Sequence, residues 1–293
     1  MINRLMMAIA LVTSLSVIQS CSVPLKTEQQ LATETKHQDH HASSGADHDA
    51  QAMSETEHES MNTSTNATLR APKTISVNQS VPLTIDIQDS RGKAIASFEA
   101  FQEKLMHLIV VSNDLEVFQH LHPVYQGSGR FTVEANFPRS GPYTLFTDYQ
   151  PTARNEQVSV LQVAVPGAAP DPEIISFDHA KTIGNTQAIL ELSQPTLTTG
   201  QEVMVTFNLK DATTNQAVTD LQPYLGEAGH LVILRQSSSL TRADYIHAHA
   251  LQNTPEGQVS FVTQFSKPGH YKLWGQFDRG GEIIVADFWV KVQ

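Results

Sequence analysis

The sequence has very little cysteine: Cys21 is the only one among 293 residues. A single cysteine cannot form an intramolecular disulfide, so the folded parts of this chain must be held by hydrophobic cores. Any metal ion bound by the folded parts is then bound without thiolate ligands. The length leaves room for about two domains of ordinary size.

The N-terminal apolar run, residues 5–18, is too short to span a bilayer comfortably. It follows Arg4 and has the length of a signal-peptide core. The run ends in "VIQSC", which resembles the lipobox of bacterial lipoproteins. That resemblance implies removal of residues 1–20 as a signal peptide, lipid attachment at Cys21 and anchoring to a membrane of the cell envelope, on its periplasmic or extracellular face. An ordinary secretory signal with a chance cysteine is the alternative.

Aromatic residues are absent from residues 22–66, which are rich in Ser, Thr, Gln, Ala, acidic residues and His. Such a segment cannot bury enough apolar surface to offset the entropy of ordering, so we expect a disordered tether over residues 21–66. Eight acidic residues against two lysines give it a net charge of −6, of the −11 carried by the whole chain. This acidity, and the lack of a basic patch, argue against nucleic acid as a partner. The tether also holds five histidines that are candidates for weak, auxiliary metal binding: His37, His40, His41, His48 and His58.

The remainder of the chain contains a duplication. The segment "MHLIVV" in the first copy matches "GHLVIL" in the second, and "RFTVEANFPRSGPYTLFTDY" matches "QVSFVTQFSKPGHYKLWGQF". The copies cover residues 67–165 and 174–293, and the Pro/Gly/Ala-rich stretch "PGAAPDPE", residues 166–173, links them. A period above 100 residues indicates whole domains rather than a solenoid.

Each copy is expected to be all-β. Short segments such as "PLTIDIQD" alternate apolar and polar residues, or form brief Val/Ile/Leu runs, and turn residues separate them. About seven short strands in about 100 residues predict an immunoglobulin-like β-sandwich. The fold class is therefore two tandem immunoglobulin-like β-sandwich domains after a disordered His/Asp/Glu-rich tether.

Histidines recur at matched positions in the two copies. The stretch "HLIVVSNDLEVFQHLH" reads as a β-hairpin that carries His107, His120 and His122. A two-residue turn would place His107 opposite His120, and a four-residue turn would place it opposite His122. Either turn puts all three side chains on one face, whereas a three-residue turn would separate them. Side chains on opposed strands are close enough for imidazoles to converge on one ion.

The second copy repeats this trio as His230, His247 and His249. Its loop is four residues longer, which keeps the parity of the hairpin. We therefore predict one metal site in each domain, built within one hairpin. Three imidazoles without thiolate suit copper(II), zinc or nickel(II), and we place copper first and zinc second. Further candidate ligands are Glu103, Met106, Tyr125 and Asp148 in the first copy and Glu227 in the second. Met106 should point to the other face and is discounted, and Asp148 aligns with Gln276, which weakens a role shared by the two copies.

The stretches "MHLIVVSNDLEVFQHLHP" and "YIHAHA" resemble a family of secreted bacterial proteins whose domains carry an H…HxH(P) pattern. The resemblance implies an envelope location and an association with metals, with a metal-efflux component as a possible partner. The second copy has Ala250 in place of the proline. The expected function is metal buffering, resistance or delivery by a lipid-anchored protein of the cell envelope, and not an enzymatic one.

Two alternatives stay open at this point. One is a zinc-dependent hydrolase with a His₃ site, which shares the three-imidazole pattern of catalytic zinc. The sequence contains no HExxH motif, nucleophile elbow or phosphate-binding loop, which argues against it. The other is a module that binds a partner protein or a glycan through its sheets, in which the histidines are polar residues on a solvated face.

Overall fold

The structure is a computed structural model that describes residues 64–293. The predicted signal peptide, the predicted lipidation site Cys21 and the five histidines of the predicted tether lie outside the described residues. The described part of the chain contains no α-helix. It also contains no helix long and apolar enough to cross a membrane.

Eighteen β-strands alternate with turns. The first domain contains β1 Thr65–Arg70, β2 Ser80–Asp89, β3 Phe98–Glu99, β4 Met106–Ser112, β5 Phe118–Leu121, β6 Val124–Gly127, β7 Arg130–Asn136, β8 Gly141–Pro151 and β9 Gln157–Val165. The second contains β10 Ala180–Ile183, β11 Thr186–Leu192, β12 Glu202–Asp211, β13 Leu221–Gln222, β14 His230–Arg235, β15 Tyr245–His249, β16 Gln258–Gln264, β17 Gly269–Arg279 and β18 Glu282–Val292. Strand β1 begins inside the segment that the sequence assigns to the tether, since Thr65 and Asn66 already pair with β2.

Each domain consists of a four-stranded and a five-stranded antiparallel sheet. In the first domain the strand orders are β1-β2-β7-β6 and β3-β8-β4-β5, with β9 also paired to β8. In the second domain the orders are β10-β11-β12-β16 and β13-β17-β14-β15, with β18 also paired to β17. The predicted fold class, two tandem immunoglobulin-like β-sandwich domains, is confirmed.

Each sandwich encloses its own hydrophobic core, as the alternating strands predict. In the first domain Leu83, Ile85 and Phe131 belong to this core. In the second domain Phe207 and Phe261 take the corresponding place. Fully burying one such side chain contributes about 1.5–3 kcal/mol, so neither domain needs a disulfide.

A third hydrophobic cluster joins the two domains. Along β4 the side chains of Leu108 and Val110 enter the first-domain core, whereas Ile109 and Val111 enter this third cluster. Strand β14 behaves in the same way, with Val232 and Leu234 in the third cluster. The two five-stranded sheets are therefore covered on both faces and pack against each other, which explains why every residue of β4 is buried.

The contacts across this interface are reciprocal. Phe118 of the first domain stacks on Trp274 of the second, with ring centroids 4.8 Å apart. Tyr245, at the position equivalent to Phe118, stacks on Phe146, which is equivalent to Trp274, at 5.0 Å. The duplicated domains thus meet through the same surface on each, as the subunits of a two-fold dimer do.

Candidate metal centre

The first hairpin has the four-residue turn, one of the two turns that keep its trio together. Ile109 lies opposite His120, and the N–H of Ser112 donates to the carbonyl of Val117 at 3.2 Å. This register carries His107 beside His122, with ring centroids 5.2 Å apart. His107, His120 and His122 therefore share the face that also presents Ile109 to the other domain.

The second hairpin keeps the same register. His230 lies opposite His249, and Val232 lies opposite His247. The longer loop includes a 3₁₀ turn, Arg242–Asp244. The carboxylate of Asp244 accepts hydrogen bonds from Arg235 and from the backbone N–H and side chain of Thr241. The inserted residues are thus folded into the loop without displacing the histidines.

The first trio forms a compact set of ligand-type atoms. One nitrogen from each of His107, His120 and His122 lies within 4.8 Å of the other two. His107 is fully buried, and the other two imidazoles are half-buried. The Nδ1 atom of His107 and the Nε2 atom of His120 are 2.9 Å apart.

Histidines of the second domain face this trio across the interface. The ring of His230 lies 6.2 Å from His107 and 5.8 Å from His120, measured between centroids. The ring of His247 lies 5.8 Å from His107, 6.3 Å from His120 and 5.8 Å from His230. Four imidazoles, two from each domain, therefore form one cluster, hereafter the four-histidine cluster: His107, His120, His230 and His247.

The imidazoles of the second trio do not come together as those of the first trio do. His249 is exposed, and its Nδ1 accepts a hydrogen bond of 2.8 Å from the amide nitrogen of Gln102 in the first domain. Its ring stacks beside that of His247 at 5.6 Å. Within residues 64–293, the first trio is the one group of three ligand-type side chains whose atoms come within 4.8 Å of one another. The structure thus brings five of the six predicted histidines together and leaves His249 at the rim.

Backbone carbonyls fix the tautomers of the two buried histidines. His107 Nε2 lies 3.1 Å from the carbonyl of Phe101, and His230 Nε2 lies 3.0 Å from the carbonyl of Tyr224. A carbonyl only accepts, so each Nε2 carries the hydrogen, and in the neutral ring Nδ1 is then a bare lone pair. The Nδ1 atom of His230 is buried and has no hydrogen-bond partner.

Side chains of the opposite domain orient the other two rings. His247 Nδ1 donates to the carboxylate of Asp148 at 3.3 Å, and His120 Nδ1 faces the amide oxygen of Gln276 at 3.2 Å. The hydrogen on Nδ1 leaves the Nε2 atom of His247 bare, and this atom is buried without a partner. With the Gln276 amide in the present orientation, the Nε2 atom of His120 is bare as well. Histidines that ligate metals are commonly held in this way, with the outward N–H on a carboxylate or carbonyl.

Burial keeps these imidazoles neutral. Desolvation, with a smaller contribution from the neighbouring histidines, lowers the pKa of His107 from 6.5 to about 4, although the hydrogen bond to the carbonyl of Phe101 acts in the opposite direction. The same cause lowers the pKa of His230 to about 3 and that of His247 and His122 to about 4. The pKa of His120 also lies well below its usual value, for the same reason. Neutral imidazole is the form that binds metal, so the rings are ready as ligands at neutral pH.

Asp148 is a fully buried carboxyl within this set. Burial raises its pKa from 3.8 to about 6, partly offset by hydrogen bonding with the carboxyl of Glu156 and by a hydrogen bond from Tyr245. It is therefore ionised at neutral pH beside a neutral His247, without a positive side chain in the pair. A buried carboxylate of this kind is costly unless a positive charge lies near it.

The sequence-based view of the remaining groups changes in several places. A solvated sheet face for the histidines is wrong, because His107 and His230 have no exposed surface. Asp148, discounted as a ligand because it aligns with Gln276, lies in the site as the partner of His247. Among the auxiliary candidates, Met106 belongs to the first-domain core, and the Tyr125 hydroxyl donates to the carbonyl of Ala96.

Sequence reasoning missed that the two trios face each other. A signal was present, since Ile109, Val111 and Phe118 share the face of the first trio. A sheet face that presents these side chains beside its histidines is not solvated and needs a cover. The cover is the equivalent face of the second domain.

Comparisons with known structures return β-sandwich proteins at low similarity. A Salmonella alpha-2-macroglobulin mutant is 14% identical over 78% of this chain and 14% of its own, with a TM-score of 0.27. A trypsin-activated alpha-2-macroglobulin from Escherichia coli is 15% identical over 78% of this chain and 16% of its own, with a TM-score of 0.28. A segment of two fibronectin type III domains from chicken tenascin is 11% identical over 76% of this chain and 97% of its own, with a TM-score of 0.22.

The chain spans about one seventh of the length of the macroglobulins that it matches. A comparison with curated proteins gave no match. One family of domains matches twice, over residues 60–166 and 181–293, and the two matches correspond to the two sandwiches. The chain therefore belongs to the DUF8832 family, a domain of unknown function that it carries in two copies.

Proposed function

We propose that this protein is a metal-binding module of the cell envelope that holds a transition-metal ion, copper first and zinc second, through histidines of its β-sandwich domains. It would be anchored by a lipid on Cys21 and serve metal buffering, resistance or delivery, with a metal-efflux component as a partner. The tether histidines would add weak auxiliary sites.

One observation carries the proposal: the facing nitrogens of His107 and His120, 2.9 Å apart. The hydrogen of His107 is committed to the carbonyl of Phe101, and that of His120 to the amide oxygen of Gln276. Two lone pairs then point at each other, which is repulsive. Either a cation lies between them, or the Gln276 amide turns over so that His120 can donate to His107.

The spacing suits a metal ion. Imidazole nitrogens lie about 2.0–2.1 Å from such an ion, so two ligands are separated by about 2.9 Å at the right angle of tetragonal copper(II) and by about 3.3 Å at the tetrahedral angle of zinc. The donor set consists of imidazoles, with the buried carboxylate of Asp148 behind one ring and no sulfur, and three or more imidazoles suit copper(II), zinc and nickel(II). A bound cation would also compensate the charge of Asp148.

The two alternatives have less support in the site. The carboxylate that a hydrolase would use as a base is that of Asp148, which is fully buried and therefore out of reach of bulk water, and its Oδ2 atom accepts from Tyr245 and His247. A module that binds a protein or a glycan through the His-bearing faces would need those faces exposed. They are instead packed against each other.

Elemental analysis of the full chain, purified without a His-tag or added metal, tests the proposal. We expect copper or zinc that stays bound through dialysis against a moderate chelator and that decreases when His107 and His120 are both replaced by Gln. Replacing His179, an exposed histidine ahead of β10, is the matched control. Metal-free protein that also fails to retain added copper(II) or zinc would overturn the proposal and favour the module without a metal.

A further inference from the structure

We infer that a single ion is shared by the two domains, with His107 and His120 from the first and His230 and His247 from the second as its ligands. This inference rests on the proposed function and deepens it. The duplicated hairpins would then supply the two halves of one centre rather than two separate sites.

The ring centres of the four-histidine cluster are spaced slightly more widely than one ion requires. With nitrogen about 2.0–2.1 Å from the metal, an imidazole ring centre lies about 3.2 Å from it, and tetrahedral ring centres are about 5.2 Å apart. All six centroid separations in the cluster lie between 5.1 and 6.3 Å. Each ring would have to move inward by about half an ångström, which side-chain rotation can supply.

The unsatisfied atoms point to the same arrangement. His230 Nδ1 and His247 Nε2 are both buried, and neither has a hydrogen-bond partner. Leaving such an atom buried and unpaired costs about 1–3 kcal/mol. Asp148 of the first domain accepts the hydrogen of His247 Nδ1. The other nitrogen of that ring, Nε2, is therefore the atom that still needs a partner, and a metal ion would supply it.

The second domain cannot complete a three-imidazole site of its own in this arrangement. Its third histidine, His249, is exposed and accepts from Gln102 of the first domain through Nδ1. The second hairpin is left with two imidazoles, His230 and His247. The rings that face these two are His107 and His120 of the other domain.

His122 gives the centre a fifth imidazole. Its ring lies 4.7 Å from His120 and 5.2 Å from His107, and its Nε2 atom is buried without a partner. A tetragonal copper(II) ion, with four ligands in a plane and a further axial position, would accommodate this extra donor. Tetrahedral zinc would use four of the five rings.

A shared ion makes metal occupancy depend on the contact between the domains. The stacked pairs Phe118–Trp274 and Phe146–Tyr245 lie in the same interface as the four-histidine cluster. Separation of the sheets would divide the ligands two and two. Conversely, an ion that binds only the closed pair stabilises that arrangement by mass action.

The test uses the full chain with Cys21→Ser for handling in solution and with the five tether histidines replaced by Ala: His37, His40, His41, His48 and His58. Copper(II) and zinc are titrated against a competing chelator in this reference and in three variants of it. These are His107→Gln with His120→Gln, His230→Gln with His247→Gln, and the control His179→Gln. We expect one tight ion per chain in the reference and in the control.

Each double variant should lose that ion, with an affinity decrease of more than about 100-fold, since removal of outer partners alone costs 10–100-fold. Two ions per chain, one lost with each pair, would overturn the shared centre and leave the proposed function standing. A tight ion that remains bound when His230 and His247 are both replaced would also overturn the shared centre and leave the proposed function standing. Absence of any tight ion in the reference would instead refute the proposed function.

A further measurement uses the reference protein, in which the four-histidine cluster is intact. Its result therefore does not depend on whether the double variants fold. X-ray absorption at one equivalent of copper(II) or zinc should show at least four imidazole ligands on one ion. Three or fewer would overturn the shared centre even with a stoichiometry of one.

Discussion

His247 of the second domain donates its Nδ1 hydrogen to the carboxylate of Asp148 in the first, across 3.3 Å of the domain interface. The pair has a reciprocal counterpart in His120 and Gln276, so the duplicated surfaces differ at this point by one charge. The carboxylate belongs to one side alone, and it is the buried ionisable group that most favours a nearby cation.

Asp148→Asn is expected to weaken metal binding by about 10–100-fold, the usual effect of removing an outer partner of a metal ligand. The metal-free protein should be as stable as before or more stable, because the substitution removes a buried carboxylate. Competition titration and thermal unfolding measure the two effects. Gln276→Asn withdraws the reciprocal partner of His120 without changing the charge, so comparison of the two variants separates the loss of a hydrogen-bond partner from the loss of a charge.

If the metal affinity of Asp148→Asn equals that of the parent protein, the carboxylate does not support the site. Reduced metal-free stability would show that it contributes to the fold instead.

The metal-free protein should lose stability as the pH falls below about 6.5. In the folded state the pKa values of His107, His122 and His247 are lowered to about 4 and that of His230 to about 3. Above pH 6.5 these histidines are neutral in both states. Between that pH and the folded pKa the unfolded chain binds protons that the folded chain does not, so the free energy of unfolding decreases.

Each such histidine lowers the free energy of unfolding by about 1.4 kcal/mol for every pH unit well inside this range. Asp148 acts in the opposite direction, because its folded pKa is raised to about 6 and the folded state binds the extra proton between about pH 3.8 and 6. The effect of Asp148 on the free energy of unfolding roughly cancels that of one histidine. The free energy of unfolding should therefore still decrease by several kcal/mol by pH 5. Urea unfolding of chelator-treated protein at pH 7.5, 6 and 5 measures this, and a flat profile would contradict the buried, neutral cluster.

Phe118→Ala should weaken metal binding without touching a ligand. The ring of Phe118 stacks on Trp274 between the domains, and its loss should loosen the contact that brings the two halves of the cluster together. Leu83→Ala is the control, because Leu83 is buried inside the first-domain core and away from the interface cluster. The core variant should lose about 2–5 kcal/mol of stability and keep its metal affinity in the folded state.

Equal metal affinity in the Phe118 variant and the parent protein would show that the centre does not depend on the interface. Calorimetric titration below the unfolding temperature of each variant makes the comparison.

The sequence predicted the local features of this protein well. Period-two alternation and turn residues identified the strands, and parity alone placed His107, His120 and His122 on one face. Both are properties of short segments, because the pleat of a strand fixes which residues share a face. The choice between a two-residue and a four-residue turn stayed open, since both conserve that parity.

The relation between the two domains was beyond these local rules. Asp148 was set aside because its counterpart is Gln276, yet each residue meets a histidine of the opposite domain. A comparison of aligned positions in the two copies cannot show these contacts. Asp148 contacts His247 and Gln276 contacts His120, and neither pair is aligned between the copies. The apolar residues beside the histidines, Ile109 and Val232, were the sign that the faces needed a cover.

Cys21→Ser should release the protein from the membrane fraction. The "VIQSC" stretch and the short apolar run before it predict lipid attachment at this cysteine. Fractionation and labelling with a fatty acid analogue measure the effect, with Ser22→Ala as the control. A Cys21→Ser protein that still carries lipid label in the membrane fraction would contradict the lipobox assignment.

Deletion of residues 22–63 is expected to leave the fold and the tightest site intact. Among residues 64–293 the first strand begins at Thr65 and the buried members of the three hydrophobic clusters begin at Ile75, so the deletion leaves every described strand and core residue in place. The melting temperature of the metal-free protein should therefore stay within a few degrees of that of the longer chain, since each 1 kcal/mol shifts it by about 2–4 °C in proteins of this size. Total copper(II) bound at saturation should decrease, because His37, His40, His41, His48 and His58 are removed.

A chain that keeps residues 22–63 but has these five histidines replaced by Ala separates the loss of ligands from the loss of length. If the deletion abolished cooperative unfolding while this replacement did not, the segment would have to contribute to the fold, and the tether assignment would be wrong.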